Sequence, residues 1–330
     1  MTTTDVSPTN TGLRDTAVSD LGGLSIVVPV YNSESILAEL IDRLGQALPD
    51  LAERFEVILV NDGSRDRSWD VVCALAARHD RVRGINLMRN YGQHNALLCG
   101  IRAAQYAVIV TMDDDLQHPP EEIHWLLEKL AEGHDAVYGT PRDPQHGVWR
   151  GLASQATRLA LHSTMGAATA RHVSAFRVFR AQVRQAFANY QSPFVSIDVL
   201  LTWGSTRFAA VAVRHEPRRR GVSNYTFRKL VTHALNMMTG FSTWPLQVAS
   251  LIGFGFTLFG LLVLAYVIGR YLIEGGSVPG FPFLASIIVI FSGAQLFALG
   301  IIGEYLALMH FRTMERPPYA VREVSPPREG

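Results

Sequence analysis

Three consecutive carboxylates, Asp113, Asp114 and Asp115, stand between an apolar run, IVTM, and the sequence LQHPPEE. Neighbouring carboxylates repel one another, and a cation bound between them removes that repulsion. Hard oxygen ligands of this kind suit Mg²⁺ or Mn²⁺, which commonly take one or two carboxylates together with substrate phosphates. The pattern therefore predicts a divalent-metal site, with a helix cap or a solvated acidic loop as the alternative.

The spacing within this motif separates its side chains into two sets. In an extended chain Asp113, Asp115 and Gln117 point to one side, whereas Asp114 points to the other. Two prolines and two glutamates follow, and both residue types suit the first turn of a helix. A helix is therefore expected over residues 119–132, directly after the acidic motif.

Apolar runs alternate with segments of helical periodicity through the first half of the chain. The predicted strands cover residues 24–30, 55–64, 82–88, 106–114, 135–140 and 208–217, and the predicted helices cover residues 35–48, 66–78, 93–104 and 119–132. This alternation is typical of an α/β fold with a mostly parallel, Rossmann-like sheet and helices on both faces. Because ligands bind at the carboxyl ends of parallel strands, polar residues that end the first two strands are expected to meet the three aspartates in one site. These residues are Tyr31, Asn32, Asn61 and Asp62.

Two long segments near the C-terminus carry no Asp, Glu, Lys or Arg; one lies between Lys229 and Arg270, and the other between Glu274 and Glu304. Each contains about 20 mostly apolar residues, which is the length that a helix needs to cross a bilayer. Two buried helices of a soluble core are the alternative, but core helices are seldom apolar on every face. Arginines flank the pair on both outer sides and the loop between has none, so both flanks are expected to be cytoplasmic.

Four motifs, VVPVYNSE, VNDGSRDRS, NYGQHNALLCG and DDDLQHPPE, carry a resemblance to a known family. Together they resemble the inverting glycosyltransferases of the GT-A fold, and more narrowly the branch that transfers sugars to polyprenyl phosphates. This branch includes dolichyl-phosphate mannose synthase, bacterial O-antigen glucosyl transferases and undecaprenyl-phosphate aminoarabinose transferase. The resemblance extends from about residue 24 to residue 322. It implies transfer of a sugar from a nucleotide diphosphate sugar to an undecaprenyl-type phosphate, with a UDP-sugar favoured over a GDP-sugar as the donor. It also implies a bound Mg²⁺ or Mn²⁺ and a role in cell-envelope glycan or lipid modification.

The resemblance also implies roles for individual residues. Those expected to bind the nucleotide-sugar are Pro29, Tyr31, Asn32, Asp62, Asp113 and Asp114. Those expected at the acceptor phosphate are Arg142, Arg150, Ser154, Ser174, Arg177, Arg218 and Ser223. Asp115 and Gln117 are expected to bind the metal, and Asp113, Asp115 and Arg218 to take part in catalysis. We add Asp198 as a candidate supporting carboxylate, with a surface or helix-cap role as the alternative.

The chemistry that follows is a single in-line displacement at the anomeric carbon of the sugar. The attacking oxygen belongs to a phosphate that is already anionic near neutral pH, so no strong general base is needed. Neither a G-x-G-x-x-G nor a P-loop motif is present, and arginines, which bind phosphate through two parallel hydrogen bonds, would hold the acceptor instead.

Among the departures from the family pattern, Ser33 stands where Glu is usual, and Asn224 stands where Lys is usual. They favour the alternative of a catalytically weak, nucleotide-sugar-binding membrane protein that supports a flippase or a glycan assembly complex. A processive polysaccharide synthase would carry a Q-x-x-R-W element, which is absent. A transferase acting on a hydroxyl group would need an Asp base after the metal motif.

The predicted organisation is an integral protein of the bacterial plasma membrane with a cytoplasmic catalytic domain. Its segments are a disordered tail (1–22), a GT-A domain (23–224), an amphipathic juxtamembrane helix (225–243), transmembrane helices (244–273 and 283–309) joined by a short extracytoplasmic loop (274–282), and a cytoplasmic tail (310–330). Small residues in the two membrane helices favour close helix packing and a homo-oligomer; they are Gly253, Gly255, Gly260, Gly293, Gly300 and Gly303. No nucleic-acid partner is expected, and Cys73 and Cys99, which lack metal-ligand spacing, are expected to be packing residues.

Overall fold

The computed structural model describes residues 22–142, 173–192, 195–216, 244–274, 280–314 and 316–326. The chain divides into two compact units, Met1–Tyr225 with Arg316–Gly330, and Thr226–Glu315. The predicted disordered tail, up to residue 21, and the predicted juxtamembrane helix, residues 225–243, lie outside the described residues.

Within the described residues of the first unit, eight strands form one mixed sheet. They are β1 (Leu24–Val30), β2 (Phe55–Asn61), β3 (Val82–Leu87), β4 (Val108–Thr111), β5 (Ala136–Pro141), β6 (Arg177–Arg180), β7 (Phe208–Val213) and β8 (Val321–Ser325). Their order is β7-β5-β6-β4-β1-β2-β3-β8, with β1 parallel to both β2 and β4. Antiparallel pairing of β6 with β4 and β5, and of β8 with β3, makes the sheet mixed. The predicted α/β alternation is confirmed, whereas β6 and β8 are strands that the sequence patterns do not predict.

The first four helices of the first unit lie close to their predicted positions, whereas the helix Ile197–Gly204 is not predicted by the sequence patterns. The α-helices that the structure describes are α1 (Leu37–Ala47), α2 (Ser68–Arg78), α3 (Gln93–Ala103), α4 (Ile123–Ala131) and α5 (Ile197–Gly204), followed in the second unit by α6 (Trp244–Glu274) and α7 (Phe281–Thr313). Short 3₁₀ helices cover Pro120–Glu122 and Ala181–Phe187. The helix expected over 119–132 is therefore split into a proline-containing 3₁₀ turn and α4.

Strand β1 is buried on both faces along its whole length, which explains why it reads as a continuous apolar run. Ile26 and Val28 belong to a core cluster with α1, α2 and α4, whereas Val27 belongs to a second cluster with α3 and α5. Leu40 of α1 and Ile101 of α3, one from each helical layer, are fully buried. Packing on both faces fixes the sheet edge at which β1, β2 and β4 end.

The C-terminal segment contributes a strand to this sheet. Residues 310–330 are predicted as a tail, but β8 pairs antiparallel with β3 at the edge of the sheet. A side-chain ladder supports the pairing: Asn86 Nδ2 donates to Glu323 Oε1 at 2.9 Å, and Asn61 Nδ2 donates to Asn86 Oδ1 at 2.8 Å. The ladder connects β2, β3 and β8, so the last strand is tied to the inner part of the sheet.

In the second unit, α6 contains an apolar stretch, Leu246–Arg270, of 25 residues with a mean hydropathy of 2.4, long enough to cross a membrane. The described apolar stretch of α7, Phe291–Ala307, is shorter. Of the two predicted spanning helices, the described residues thus supply one candidate. The two helices pack through the rings of Phe256 and Phe291, whose centroids are 5.9 Å apart. A Cβ at Gly260 would lie 2.7 Å from Phe291 Cζ, so this glycine permits the close approach.

Candidate active site

A cleft of about 190 Å³ opens where β1, β2 and β4 end. Its lining residues are Pro29, Val30, Tyr31, Asp62, Gln93, Asp113, Asp114 and Asp115. The predicted meeting of these strand ends is therefore observed. Five of the six residues expected to bind the nucleotide-sugar line this one cleft, and the sixth, Asn32, does not line it.

The three aspartates all line the cleft, so the expectation that Asp114 points away from the other two is wrong. Strand β4 ends at Thr111, and the chain reaches a left-handed turn at Leu116 with φ of 58°. The side-chain alternation of an extended strand therefore does not apply to the aspartates. Asp114 Oδ2 instead accepts a hydrogen bond from the backbone N–H of Tyr31 at 3.3 Å.

Burial raises the pKa of Asp114 to about 6, and the negative charge of Asp115 adds to this rise. Hydrogen bonds from the Ser33 hydroxyl and from the Tyr31 N–H act in the opposite direction, because they stabilise the carboxylate. Ser33 therefore places a hydrogen-bond donor beside Asp114.

Asp62 connects the cleft to the start of α3. Its carboxylate accepts hydrogen bonds from the N–H groups of Tyr91 at 2.7 Å and Gly92 at 2.8 Å. Gly92 has φ of 95°, a left-handed conformation that glycine adopts without strain. Burial raises the pKa of Asp62, and the two N–H groups partly offset that rise.

Asn32 stabilises the loop beside the cleft. It has φ of 54°, which Asn tolerates better than most residues, and its Oδ1 accepts from the Arg65 N–H at 2.8 Å. The Asn32 N–H donates to Ser64 Oγ at 3.0 Å. Glu34 Oε2 accepts from the Arg67 N–H at 2.8 Å. The loops after β1 and β2 are thus joined.

Gln93, the first residue of α3, is a cleft residue that the sequence reasoning misses. Its Nε2 donates to Asp113 Oδ1 at 2.6 Å. The signal was present, because Gln93 lies within the motif NYGQHNALLCG. Nothing local in that motif shows that its amide reaches a carboxylate 20 residues further along the chain.

Of the residues expected at the acceptor phosphate, three lie within the described part of the chain: Arg142, Ser174 and Arg177. Arg142 follows β5 and its side chain is 52% exposed, with Nη2 at 3.9 Å from Glu122 Oε2. Ser174 Oγ accepts from the Phe176 N–H at 3.2 Å. Four others, Arg150, Ser154, Arg218 and Ser223, lie outside the described residues.

Arg177 and Asp198 form a buried ion pair with each other. Arg177 is 2% exposed and Asp198 6% exposed, and Tyr138 Oη donates to Asp198 Oδ1 at 3.2 Å. Breaking such a pair is costly, because the remaining charge would be buried without a partner. The structure therefore corrects two expectations: Arg177 is committed to a carboxylate rather than a phosphate, and Asp198 holds the Arg177 side chain rather than the reacting groups.

The electrostatics of the cleft suit a cation. Its lining, within the part of the chain that the structure describes, contains four carboxylates and no Lys, Arg or His. Gln117 is not among the lining residues, but its N–H donates to Asp115 Oδ1 at 3.1 Å. No group of three or more His, Cys, Asp or Glu side chains is arranged as a metal cluster among the described residues. A cation here would thus need ligands from its substrate as well.

The sequence profile of glycosyl transferase family 2 matches residues 25–189, which include the cleft residues. The undecaprenyl-phosphate 4-deoxy-4-formamido-L-arabinose transferase of Shewanella sediminis is 36% identical over 304 residues, covering 91% of this chain and 92% of the relative. The chain belongs to glycosyltransferase family 2. The transferase of the same name from Pseudomonas aeruginosa is 34% identical to this family 2 glycosyltransferase, over 91% of this chain and 90% of its own length.

Solved structures confirm the fold of this family 2 glycosyltransferase. Glucosyl-3-phosphoglycerate synthase from Mycobacterium tuberculosis, in complex with Mn²⁺, UDP-glucose and phosphoglyceric acid, superimposes with a TM-score of 0.53 at 19% identity. The match covers 71% of this chain and 83% of that chain. The expected GT-A fold is therefore confirmed, with a mixed rather than a purely parallel sheet.

Proposed function

We propose that this glycosyltransferase transfers a sugar from a nucleotide diphosphate sugar, UDP-linked before GDP-linked, to undecaprenyl phosphate. The observation that carries the donor side is the cleft at the ends of β1, β2 and β4, with four carboxylates in its lining. The acceptor follows from relatives named as undecaprenyl-phosphate transferases, which match 91% of the chain.

The cleft carboxylates fit a divalent metal, because they supply hard oxygen ligands. Among the described residues, the lining of the cleft contains no cationic side chain that would compete with the metal. Asp115 would hold Mg²⁺ or Mn²⁺ with Gln117, while Asp113 would contact the nucleotide-sugar. A bound metal would neutralise the diphosphate that leaves. Gln93 already holds one oxygen of Asp113, which orients that carboxylate before the donor arrives.

The remaining chemistry falls to positioning. The acceptor phosphate oxygen attacks the anomeric carbon from the face opposite the nucleotide diphosphate, the bond to the diphosphate breaks, and the configuration inverts. Arg142 and Arg218 would hold the acceptor phosphate, with Arg150, Ser154, Ser174 and Ser223 as further expected contacts. The contribution of such groups is to fix the reacting atoms and stabilise charge, without a proton transfer.

We also propose that both α6 and α7 cross the bilayer. Strand β8 follows α7 in the chain and pairs with β3, which precedes α6. One sheet cannot lie on two sides of a membrane, so the segment between its strands must cross an even number of times. The arginine-rich flanks favour the cytoplasmic side for the sheet. The homo-oligomer expected from the glycines stays a prediction.

The test is a transfer assay with the full chain in detergent, undecaprenyl phosphate, Mg²⁺ or Mn²⁺, and a panel of UDP- and GDP-sugars. A single donor is expected to yield a lipid-phosphate sugar, and Asp115→Ala is expected to lower its rate by about 100-fold or more. Asp70→Ala removes a carboxylate that is 69% exposed on α2 and serves as the control. Donor binding without turnover in any metal would instead favour the nucleotide-sugar-binding alternative.

A further inference from the structure

A cluster of charged side chains joins the loop after the three aspartates to the end of β7. It consists of Arg43, Glu121, Glu122, Arg142, Arg214 and Glu216. The backbone takes part as well, since the Glu216 N–H donates to Gln117 O at 2.8 Å. This backbone hydrogen bond links the cluster to Gln117, two residues after Asp115, which is expected to bind the metal.

Glu122 is the centre of one half of this cluster. The residue is 3% exposed, and its Oε1 accepts from Arg214 Nε at 2.6 Å. Its Oε2 accepts from the Arg214 N–H at 3.1 Å and lies 3.9 Å from Arg142 Nη2. One buried carboxylate is thus shared by two arginines.

The other half of the cluster is the reverse arrangement, one arginine shared by two glutamates. Arg43 donates to Glu121 through Nε at 3.0 Å and Nη2 at 2.7 Å, and Nη2 lies 3.6 Å from Glu216 Oε1. The charges of the whole cluster cancel, so its net charge attracts no anion. The excess of hydrogen-bond donors is confined to the half that contains Arg142 and Arg214.

The half of the cluster that contains Arg142 and Arg214 has many more hydrogen-bond donors than acceptors. Each guanidinium has five N–H donors, and the side chains of Arg142 and Arg214 are 52% and 59% exposed. Arg214 Nε donates a hydrogen bond to Glu122, and Arg142 Nε donates to Ala212 O at 3.4 Å. Much of each planar fork therefore still faces solvent, where a ligand with several acceptor oxygens could bind it.

The position of these two arginines is that of a ligand site. Arg142 directly follows β5, and Arg214 directly follows β7, which is parallel to β5. The Arg142 N–H donates to Val213 O at 3.1 Å, so the two strand ends stay together. Carboxyl ends of parallel strands are where ligands bind in open α/β sheets.

We propose that Arg142 and Arg214 form a two-arginine clip for the phosphate group of the lipid acceptor, with Glu122 as the positioning residue that sets their spacing. Arginine forks bind phosphate oxygens through paired, charge-assisted hydrogen bonds. The identity of the acceptor rests on the proposed function. The clip adds Arg214 as a binding residue and Glu122 as a residue that acts through both arginines.

A matched ion pair at the opposite edge of the sheet provides the control. Arg207 precedes β7 and Asp135 precedes β5, and Arg207 donates to Asp135 through Nε at 3.1 Å and Nη2 at 2.9 Å. Arg207 is also exposed, at 66%. Arg207→Gln therefore removes a comparable arginine–carboxylate ion pair at the amino ends of the two strands whose carboxyl ends carry Arg142 and Arg214.

The experiment measures binding of a short-chain polyprenyl phosphate, the matching polyprenol and UDP to the full chain in detergent by calorimetry. Arg214→Gln and Arg142→Gln are each expected to weaken polyprenyl phosphate binding about tenfold, the effect of losing one charge-assisted contact. Polyprenol and UDP binding should not change, and Arg207→Gln should bind all three ligands as the wild type does. Glu122→Gln should weaken polyprenyl phosphate binding when it is introduced alone. It should have no further effect when it is added to the double variant that lacks both arginines.

Several results would overturn the clip. Arg214→Gln that binds polyprenyl phosphate as tightly as Arg207→Gln would show that the Arg214–Glu122 pair is only structural. A loss of UDP binding alone would assign the arginines to the donor diphosphate. If the wild type transfers sugar to undecaprenyl phosphate and the arginine variants keep the wild-type affinity for polyprenyl phosphate, the clip is refuted and the proposed function stands. Wild-type protein that binds both lipids equally would overturn the proposed acceptor and the clip together.

Discussion

At the residue scale, the cleft is organised by contacts between side chains that are distant in sequence. Gln93 is the clearest example, because a neutral amide from α3 holds a carboxylate that follows β4. The hydrogen bond restricts Asp113 to one orientation, which reduces the ordering that a donor must impose. We therefore predict that Gln93 positions Asp113 for the donor.

Gln93→Leu is expected to raise the KM for the nucleotide-sugar about tenfold, because a hydrogen bond to a charged group contributes roughly 1.5–3 kcal/mol. Steady-state kinetics and donor binding without acceptor would measure the change. Gln105→Leu is the control, since Gln105 follows the other end of α3 and lines a different cleft. An unchanged donor affinity in Gln93→Leu would contradict a positioning role.

The Arg207–Asp135 pair predicts a pH dependence of stability. The hydrogen bond from Arg207 lowers the pKa of Asp135, and burial opposes it. A lowered folded-state pKa gives stability that is present above the unfolded value of about 4 and is lost as the pH falls through the folded value. Urea unfolding should thus separate the wild type from Arg207→Gln at pH 7, and the separation should shrink below about pH 4. A separation that stays constant down to pH 2.5 would contradict this assignment.

At the element scale, the packing of α3 on β1 requires a glycine that α1 does not require. A Cβ at Gly100 would lie 2.3 Å from Val27 Cγ1, whereas a Cβ at Gly45 would meet nothing within 4 Å. Both glycines lie inside α-helices. The same substitution should therefore have opposite effects at the two sites.

Gly100→Ala is expected to lower the free energy of unfolding by about 1–3 kcal/mol through overpacking. Gly45→Ala is expected to raise it by roughly 0.5–1 kcal/mol, because alanine favours the helix. Urea titration of the two variants beside the wild type measures both changes. Equal effects of the two substitutions would show that helix propensity, rather than the α3–β1 contact, governs Gly100.

From the pairing of β8 with β3, we predict that the C-terminal segment stabilises the part of the sheet beside the cleft. The Met88 N–H donates to Ala320 O at 2.9 Å, and Arg322 Nη2 donates to Met88 O at 3.1 Å. Met88 follows β3 and leads into the loop that Asp62 holds. The pairing of β8 thus reaches the cleft through this loop.

A chain that ends before Val321 should lose hydrogen-exchange protection at the β3 amides that face β8, because β3 becomes an exposed edge strand. Its KM for the donor should also rise. A chain that ends after Pro326 keeps β8 and should behave as the full chain. Unchanged protection of β3 in the shorter chain would show that β8 is dispensable.

At the scale of the whole molecule, the sheet constrains the membrane topology. Strands before α6 and after α7 belong to the same sheet, so the proposed pair of crossings would leave both flanks on one side of the membrane. A single crossing by α6 would put β3 and β8 on opposite sides. Two crossings are consistent with the pairing, although the apolar stretch described in α7 is the shorter one.

Labelling with a membrane-impermeant maleimide tests this topology in a background without Cys73 and Cys99. Gln46→Cys and Arg316→Cys should react only after the cells are permeabilised, because both positions are exposed and expected in the cytoplasm. Ser277→Cys, at a position in the sequence between α6 and α7, should react in intact cells. Labelling of Gln46→Cys and Arg316→Cys on opposite sides would contradict the paired crossing.

The sequence by itself determined the features that depend on neighbouring residues. The apolar run of β1 and the periodicities of α1 to α3 are local patterns, and β1 begins and ends as predicted. The family motifs located the strand ends, and with them six of the eight residues that line the cleft, all except Val30 and Gln93. These features were predictable because burial on both faces of a sheet selects residue type position by position.

Tertiary structure decided which distant residues meet. Asn86 and Glu323 are 237 positions apart, and no local pattern indicates that a short C-terminal segment will complete an edge of the sheet. Arg177 and Asp198 read as a phosphate ligand and a supporting carboxylate until the fold buries them together. Asp114 joins the cleft because β4 stops at Thr111 and the chain turns. In each case the free energy of the contact depends on burial and on a partner from a distant part of the chain. That partner comes within reach only when the chain is folded, so no local sequence pattern indicates it.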